Sequence, residues 1–487
     1  MNKRPVLPST RKGGNRNKKK KFQYILCQII GFTFLFFLIG TFVYHGITLY
    51  SNTTTTTTTT HPVVSTATHP ETTTVVSNTT TKKKKEKKKE KALRAVTDEI
   101  QTDTSPHPSD AASSIGYVIS ITGCPGERTY SLYDGAAVLK HSIDLIHTSS
   151  KYSTYQLHAF VHTSAVHCSK HLLQALHYNV QVVDVPIQVH EIENEWTRTN
   201  IVKGGCCNEK ELIKLYAYTL KQHSIVIHLD VDTLLLQPLD VLFDTMLQND
   251  TSQLPSHYMQ HPSPTTTKKS IDFMFTRDYN MASRHTKNVG VQGGFFLLKP
   301  SDSIFSQFVH ILRKGHYTPS NGWGDAGYGP FYGSMTIQGL LPYFYDHVQT
   351  KQTSLELSRC YFNNMSDNPR ENPTVNNVVS GNCKDFRQEC MDCRTVPIHD
   401  LFSVHYTLCY KPWTCSPHSQ RNLLQHGQCY EVHEKWFQIR HDFQQKHSLG
   451  NDKTGHFMKE HFLGYCHTLG EKGYIPIPMN KDYSHKS

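Results

Sequence analysis

Residues Ser224–Asp240 read SIVIHLDVDTLLLQPLD, and the interpretation of the whole chain starts from this stretch. An aliphatic run, Ile225–Leu229, ends abruptly in an acidic pair, Asp230 and Asp232. Such a run, bounded by polar residues, is typical of a buried strand in a parallel sheet. Ligands of open α/β sheets bind beyond the carboxyl ends of strands, so both carboxylates are candidate ligands of Mn²⁺ or Mg²⁺. A bare Asp-x-Asp is also common in proteins where it has no function.

Strand and helix patterns alternate along the residues that precede this stretch. Strands are predicted at 116–122, 155–163 and 180–185, and helices at 131–147 and 170–177. The βαβαβ order predicts an α/β fold with a Rossmann-like, nucleotide-binding half. Later segments add the helix 209–220, which leads into the central strand, and a strand at 271–277.

Several segments resemble signatures of glycosyltransferase family 8, the glycogenin-like and galactinol-synthase-like retaining enzymes. They are HLDVDT at 228–233, the helix GAAVLKHSI at 135–143, VQGGFFLLKPS at 291–301, and IHDLFSVHYTLCYKPW at 398–413, which resembles HxxGxxKPW. The resemblance spans roughly residues 115–413. It implies a GT-A fold, a UDP-sugar donor and transfer with retention of the anomeric configuration.

The resemblance also implies a metal site and a site for the diphosphate. Asp230, Asp232 and His405 would hold the ion, a set of oxygen and nitrogen ligands that Mn²⁺ accepts. Lys411 would neutralise the diphosphate as a point charge without touching the metal.

Other residues are assigned to the donor sugar by the same resemblance. Gln292, Gly293 and Gly294 would pass beneath the sugar, where glycines let the backbone approach a ligand closely. A β-bulge or tight turn is the alternative for the Gly-Gly pair. Lys214 would reach toward the donor, or else be an ordinary surface lysine with its stem on apolar surface.

Besides Gln292, which replaces the family's usual Asn, two positions depart from the family pattern. The family has an Asp-Gln pair at the donor sugar where this chain has Ile337 and Gln338, and it has a glycine where this chain has Leu408. Gln338 is therefore the candidate for orienting the sugar, and Asp325 is a further candidate carboxylate in the glycine-rich loop 321–341. The same loop also fits a mobile lid over the acceptor.

The charge of the chain is concentrated in its first 112 residues. They contain 18 Lys and Arg against 7 Asp and Glu, which accounts for the net charge of +11, and the remainder carries 33 of each. The folded part therefore gives no electrostatic reason to expect binding to nucleic acid.

Membrane attachment is predicted from the same N-terminal residues. Residues 1–21 are a basic tail, and 22–46 contain an uncharged stretch long enough to cross a bilayer. A signal peptide is the alternative, but its apolar region would be shorter and end in small residues. The positive-inside rule predicts a single-pass type II protein, and we expect it in the Golgi membrane with a lumenal catalytic domain. A Thr/Lys-rich disordered stem at 47–112, the GT-A domain at 113–475 and a tail at 476–487 complete the expected organisation.

Twelve of the 13 cysteines follow the predicted span, and eight of them lie in the C-terminal part, 360–475. An even count in a lumenal domain predicts disulfides, with no more than a couple of free thiols, and a loop-rich C-terminal part. Cys390-x-x-Cys393 also fits zinc, but no second pair stands at finger spacing, so disulfides are favoured. Glycosylation sequons at Asn249 and Asn364 are expected in loops.

The predicted function is metal-dependent transfer of a hexose, or a related sugar, from a UDP-sugar to a glycan or protein acceptor. The expected partners are the nucleotide sugar, the glycan or glycoprotein acceptor and the membrane, with a second copy of the chain as a further candidate. A glycan-binding or scaffolding pseudoenzyme is the alternative, because Ile337 and Leu408 depart from the family pattern. A metal-dependent phosphohydrolase is disfavoured, because the sequence supplies no second metal cluster.

Overall fold

The computed structural model describes residues 114–126, 129–261, 270–281, 288–375, 378–416, 423–449, 462–468 and 470–478. The chain divides into two units, 1–105 and 106–487, and every described residue belongs to the second. The predicted basic tail, membrane span and stem lie outside the described residues, as does most of the predicted tail 476–487. Within the described part of the chain, no helix combines the length and the apolar character needed to cross a bilayer.

Strands and helices alternate through the first half of the described unit. The strands are β1 Ile115–Ile121, β2 Tyr155–His162, β3 Asn179–Val183, β4 Ile225–Leu229, β5 Thr233–Leu235, β6 Phe273–Arg277, β7 Val291–Leu298, β8 Tyr317–Thr318, β9 Gly322–Trp323, β10 Ser354–Glu356, β11 Arg370–Val375, β12 Val378–Cys383 and β13 Ser403–His405. The α-helices are α1 Thr129–His147, α2 Val166–Ala175, α3 Glu195–Asn200, α4 Asp240–Gln248, α5 Asp302–Lys314, α6 Ile337–Tyr343 and α7 Leu423–Lys446. A 3-10 helix, Asn208–Thr219, precedes β4, and a π-helical turn, Phe344–Val348, follows α6.

A seven-stranded sheet in the order β10-β6-β7-β4-β1-β2-β3 forms the centre of the fold. The strands β4, β1, β2 and β3 are mutually parallel, and β10 is parallel to β6. Only β7 runs antiparallel to its neighbours in this sheet, β4 and β6. The predicted α/β class and βαβαβ order are confirmed, since β1, α1, β2, α2 and β3 follow one another as expected.

Helices cover both faces of this sheet, and strand residues alternate between the two cores. Ile225 and Ile227 of β4 pack into the core that includes α1, α4 and α7. Val226 packs into the opposite core, with the 3-10 helix, α5 and α6. All five residues of β4 are buried, and the ring of His228 stacks on Phe296 while its Nε2 bonds to Ser120 Oγ at 2.9 Å. The end of β4 is therefore held firmly in place.

A close contact between α1 and the residues after β4 sets the position of the candidate site. A Cβ at Gly135 would stand 2.8 Å from the carbonyl oxygen of Val231 and 3.1 Å from the Trp413 ring. Glycine is therefore required there if the helix is to pack this closely. Trp413 of the KPW segment thus packs against Gly135 of α1, next to Trp436 of α7.

The C-terminal part contains a long helix that the sequence analysis did not predict. Helix α7 spans 24 residues and packs on α1, where Asp442 bonds to His141 at 2.7 Å. Its apolar periodicity is masked because polar residues on it are also buried. Arg440 is fully buried, with its guanidinium over the rings of Tyr465 and Tyr474. The described C-terminal part is therefore loop-rich as expected, except for this one long helix.

The disulfide prediction is confirmed within the described residues. Ten cysteines form five bonds, namely Cys124–Cys168, Cys360–Cys393, Cys383–Cys390, Cys409–Cys429 and Cys415–Cys466. The cysteines of the CxxC segment bond to different partners rather than to zinc or to each other.

Of the two glycosylation sequons, the one at Asn364 lies in a loop as expected, but it is not accessible. Its side chain is fully buried, and Nδ2 donates to the carbonyl oxygens of Cys360 and Cys393 at 2.8 and 3.1 Å. The folded domain therefore does not present Asn364 for glycosylation.

Candidate metal and substrate site

Asp230, Asp232 and His405 converge at the carboxyl end of β4. Each offers one ligand atom, and these atoms all lie within 4.8 Å of one another. Asp230 and Asp232 occupy the tight connection between β4 and β5, in which the Thr233 amide donates to the Asp230 carbonyl at 3.0 Å. Two carboxylates separated by one residue thus face the same space.

His405 reaches the two carboxylates because β13 pairs antiparallel with β5. Its Cα is opposite Thr233 in that ladder, and the amide of Tyr406 donates to the carbonyl of Asp232 at 3.0 Å. The Nε2 atom of His405 lies 3.4 Å from Oδ2 of Asp232. Burial lowers the pKa of this imidazole, which favours the neutral form that binds metals. Its Nδ1 has no hydrogen-bond partner among the described residues.

Gly294 of β7 has no side chain, and His405 and Asp230 occupy the space that a side chain would fill. A Cβ at this position would overlap Cε1 of His405, and it would stand 2.9 Å from Nδ1 of the same ring and 3.0 Å from Oδ2 of Asp230. At Gly293 a Cβ would meet its nearest neighbour, Glu211 Oε1, only at 3.4 Å. The glycine pair was predicted to make room for a donor sugar, whereas Gly294 makes room for the candidate ligands.

Lys214 is buried behind Asp230 rather than exposed on the surface. Its Nζ donates to Oδ1 of Asp230 and to the carbonyl of Gly293, each at 3.0 Å, and lies 3.4 Å from Oε1 of Glu211. Burial alone would lower the pKa of Lys214, but the two carboxylates raise it above its usual value. Burial likewise favours protonation of Asp230, yet Lys214 and the neighbouring histidines lower its pKa to about 2. The surface-lysine alternative is therefore wrong, and Lys214 orients a candidate metal ligand.

Lys411 lies at the other carboxylate. Its ammonium group contacts Oδ2 of Asp232 and is partly exposed. Desolvation lowers the pKa of Lys411 to about 8, against the opposing effect of Asp230. The following 3-10 turn, Pro412–Thr414, anchors the segment through Trp413. A partly exposed cation thus stands at the edge of the cluster.

The remaining predicted residues have different surroundings. Gln292 is buried, and its Oε1 accepts from the amide of Gly294 at 2.6 Å and from Asn363 at 3.3 Å, so it supports β7. Gln338 lies in the first turn of α6, after the buried Thr336. Asp325 lies in the loop after β9, where it bonds to Thr318 at 2.6 Å and pairs with His316 at 3.1 Å. It is not one of the three clustered residues.

Glu211 is a site residue that the sequence analysis missed. Its buried carboxylate accepts from the hydroxyl of Thr336 and faces Lys214. Both acid and lysine lie on the 3-10 helix, in which side chains three residues apart eclipse each other. The spacing of Glu211 and Lys214 was the signal that could have indicated this pair.

The two departures from the family pattern have different surroundings. Ile337 is fully buried in the core beneath β7, so an apolar residue is suited to that position. Leu408 is half-buried in the turn after β13.

The three clustered side chains suit a divalent cation. Two carboxylates and one neutral imidazole are the hard and borderline ligands that Mn²⁺ and Mg²⁺ sites combine. The partnerless nitrogen of a buried histidine and the convergence of the two carboxylates are consistent with that use.

Comparisons with known proteins show only distant structural similarity. No protein-family model matches the chain, and no curated protein sequence matches it. The galactosyltransferase LgtC, solved with donor and acceptor sugar analogs, aligns at 11% identity over 68% of this chain and 95% of its own, with a TM-score of 0.36. Mouse xyloside xylosyltransferase 1 aligns at 13% identity over 51% of this chain and 87% of its own, with a TM-score of 0.30.

A third solved structure is that of the bifunctional glycosyltransferase WbbM. It aligns at 12% identity over 69% of this chain, with a TM-score of 0.35, and the chain spans about half of it, 51%. At these TM-scores the function has to be argued from the residues of the site itself.

Proposed function

We propose that this chain is a metal-dependent glycosyltransferase with a GT-A catalytic domain, as its resemblance to family 8 implies. The observation that carries the proposal is the convergence of Asp230, Asp232 and His405 at the carboxyl end of a central parallel strand, with Lys411 beside them. Nucleotide ligands of open α/β sheets bind at such strand ends.

The chemical requirement is to stabilise a leaving diphosphate as its negative charge grows. Asp230, Asp232 and His405 would hold Mn²⁺ or Mg²⁺, which supplies Lewis-acid stabilisation of the diphosphate when bound. Lys214 keeps Asp230 ionised and fixed in direction through its 3.0 Å hydrogen bond. Lys411 supplies a second positive charge that exchanges its contact with Asp232 for one with the diphosphate.

The remaining roles follow from the family resemblance. Gln338 orients the donor sugar, the donor is UDP-linked, and the reaction retains the anomeric configuration. The acceptor is a glycan or a protein. Asp325 stays a further candidate for the carboxylate that the family places at the donor sugar, and its side chain bonds to Thr318 and pairs with His316.

A type II Golgi location is part of the proposal. The uncharged stretch in 22–46, with its preceding basic tail, supports a signal anchor. The five disulfides support maturation in an oxidising compartment such as the secretory pathway.

A donor screen by thermal unfolding tests the proposal. Full-length protein is heated with each of a panel of nucleotide sugars, with Mn²⁺ or with EDTA. A UDP-sugar at 100 times its Kd should stabilise the fold by about 2.7 kcal/mol with Mn²⁺, and much less with EDTA. Absence of stabilisation by every nucleotide sugar in the presence of Mn²⁺ would contradict the proposal.

A glycan-binding pseudoenzyme is the second candidate, favoured by the buried apolar Ile337 in place of the family's acidic residue. The two candidates differ in turnover. Release of UDP from the stabilising donor, with or without acceptor glycans, supports the enzyme. Donor binding with no release across the acceptor panel supports the pseudoenzyme.

A further inference from the structure

Two consecutive cysteines remain as thiols beside the five disulfides. Within the described residues these are Cys206, which is exposed, and Cys207, which is half-buried. Their Sγ atoms are 2.9 Å apart. Both sulfurs therefore face the same side of the chain and lie close enough to form a bond after only a small movement.

This thiol pair lies at the edge of the candidate site. Cys207 directly precedes the 3-10 helix that carries Glu211 and Lys214. The neighbouring Gly205 has a positive φ of 67°, and a Cβ there would stand 3.3 Å from Cα of Gly333 and 3.7 Å from Oε2 of Glu211. The segment thus packs against the glycine-rich loop on one side and the buried carboxylate on the other.

The surroundings also favour a reactive sulfur at Cys207. A hydrogen bond with Cys206 lowers the pKa of the Cys207 thiol to about 7, burial opposes this, and a hydrogen bond with Thr122 adds to the lowering. The thiolate is the nucleophile in thiol–disulfide exchange, and a thiol whose pKa is near the ambient pH attacks fastest.

We propose that Cys206 and Cys207 form a redox-active thiol pair that small disulfides such as oxidised glutathione convert to a disulfide between the adjacent residues. The thiolate of Cys207 attacks one sulfur of the small disulfide, forms a mixed disulfide and releases one thiol. Cys206 then loses its proton and attacks Sγ of Cys207, releasing the second thiol. The protein gives up two electrons and two protons, and the small disulfide is reduced to two thiols.

The resulting bond differs from the five disulfides in how readily it is reduced. Those five join Cα atoms 4.4 to 6.0 Å apart, within the usual range. Adjacent Cα atoms across a trans peptide are only about 3.8 Å apart, so a bond between neighbours strains the chain. Strained and exposed disulfides have more oxidising potentials and belong to labile or regulatory pairs. The pair therefore cycles under conditions that leave the other bonds intact.

Redox titration of the full-length protein tests this proposal, independently of whether it transfers sugars. The protein is equilibrated with a series of reduced-to-oxidised glutathione ratios and alkylated with iodoacetamide, and each cysteine is read by peptide mass. Cys206 and Cys207 should lose their label together, giving a peptide lighter by two hydrogen atoms, while the other five bonds stay unlabelled. Continued labelling of both in the most oxidising buffer, or a stable glutathione adduct on either, would overturn the proposal.

A trivalent arsenical gives a second measurement on the wild-type protein, with two single variants as controls. One equivalent of phenylarsine oxide bridges two neighbouring thiols, so it should protect both residues from alkylation in the reduced wild-type protein. Cys206→Ser and Cys207→Ser should each keep one alkylated thiol and lose the protection. Independent labelling of both thiols in arsenical-treated wild-type protein would contradict the paired geometry.

Discussion

The two parts of the candidate metal site are held in different ways. Asp230 and Asp232 follow directly on β4, whose residues are all buried between two cores. His405 and Lys411 come from a segment far along the chain, since Lys411 stands 179 positions beyond Asp232. That segment is held by a three-residue ladder with β5, by the packing of Trp413 and by the disulfides Cys409–Cys429 and Cys415–Cys466.

The carboxylates are thus supported by the core of the sheet, whereas the imidazole and the ammonium group are supported by the packing and disulfides of the C-terminal part. Substitutions that loosen the C-terminal segment should therefore displace His405 and Lys411 and leave the two carboxylates in place. Substitution of either carboxylate should abolish metal binding and leave the packing of the C-terminal part unchanged.

Loss of one carboxylate should have the largest effect. Asp232→Asn should weaken Mn²⁺-dependent UDP binding by on the order of 100-fold or more, because a charged ligand is removed from a partly desolvated site. His405→Ala should weaken it less, since both carboxylates remain. Isothermal titration of UDP with Mn²⁺ measures both variants.

Asp302→Asn is the matched control, because Asp302 pairs with Lys221 on the exposed surface. Equal losses for His405→Ala and Asp232→Asn would break the proposed division between the two halves.

Removal of a C-terminal disulfide should lower the free energy of unfolding and loosen the segment that carries His405 and Lys411. The Cys409–Cys429 bond closes 20 residues, so the double serine variant should lose about 3 kcal/mol of unfolding free energy. Lys411 and His405 flank Cys409, so Mn²⁺ affinity should also fall. Urea unfolding and Mn²⁺ titration measure the two effects.

The Cys124–Cys168 bond supplies the comparison, since it closes 44 residues beside β1 and α2. Its double serine variant should lose a similar free energy and keep its Mn²⁺ affinity. An equal loss of Mn²⁺ affinity in both variants would show that the C-terminal disulfide has no specific role in positioning the site.

A methyl group at the junction of the two halves should have a smaller effect. Gly294→Ala places a Cβ in contact with both His405 and Asp230, which should cost about 1–3 kcal/mol and weaken Mn²⁺ binding. Gly293→Ala is the matched control, because its nearest contact is at 3.4 Å. Thermal unfolding with and without Mn²⁺ should separate them, and equal behaviour of the two variants would contradict the role of Gly294.

The smallest expected effect is a pH dependence where α1 meets the C-terminal residues. Asp134 accepts hydrogen bonds from Tyr474 and from the amide of Ile477, and burial raises its pKa from 3.8 to about 6. Between these values the folded protein keeps a proton that the unfolded chain has lost. Stability should therefore fall as pH rises from about 4 to 6, by on the order of 1 kcal/mol per pH unit, and not change further above that.

The difference in unfolding free energy between wild type and Asp134→Asn isolates this group, because other buried acids such as Asp278 titrate in both proteins. Chemical unfolding at each pH measures it. A difference that does not change across this pH range would show that Asp134 is ionised in the fold at all these pH values.

Elements with a continuous hydrophobic pattern could be predicted from the sequence alone. The βαβαβ order, the strand β4 and the acidic pair that ends it could all be predicted, since a buried strand is a local run of aliphatic residues. The even cysteine count likewise predicted disulfides with no more than a couple of free thiols. The structure identifies Cys206 and Cys207 as those thiols among the described residues.

The partners of the buried polar residues could not be predicted from the sequence and are seen only in the folded structure. Arg440 and Gln444 are buried polar residues that interrupt the apolar periodicity of α7. Asn364 is a buried hydrogen-bond donor. Lys214 is buried beside Asp230 rather than exposed on the surface. The physical reason is that a buried polar group is stable only with a partner, and that partner is supplied by segments distant in sequence.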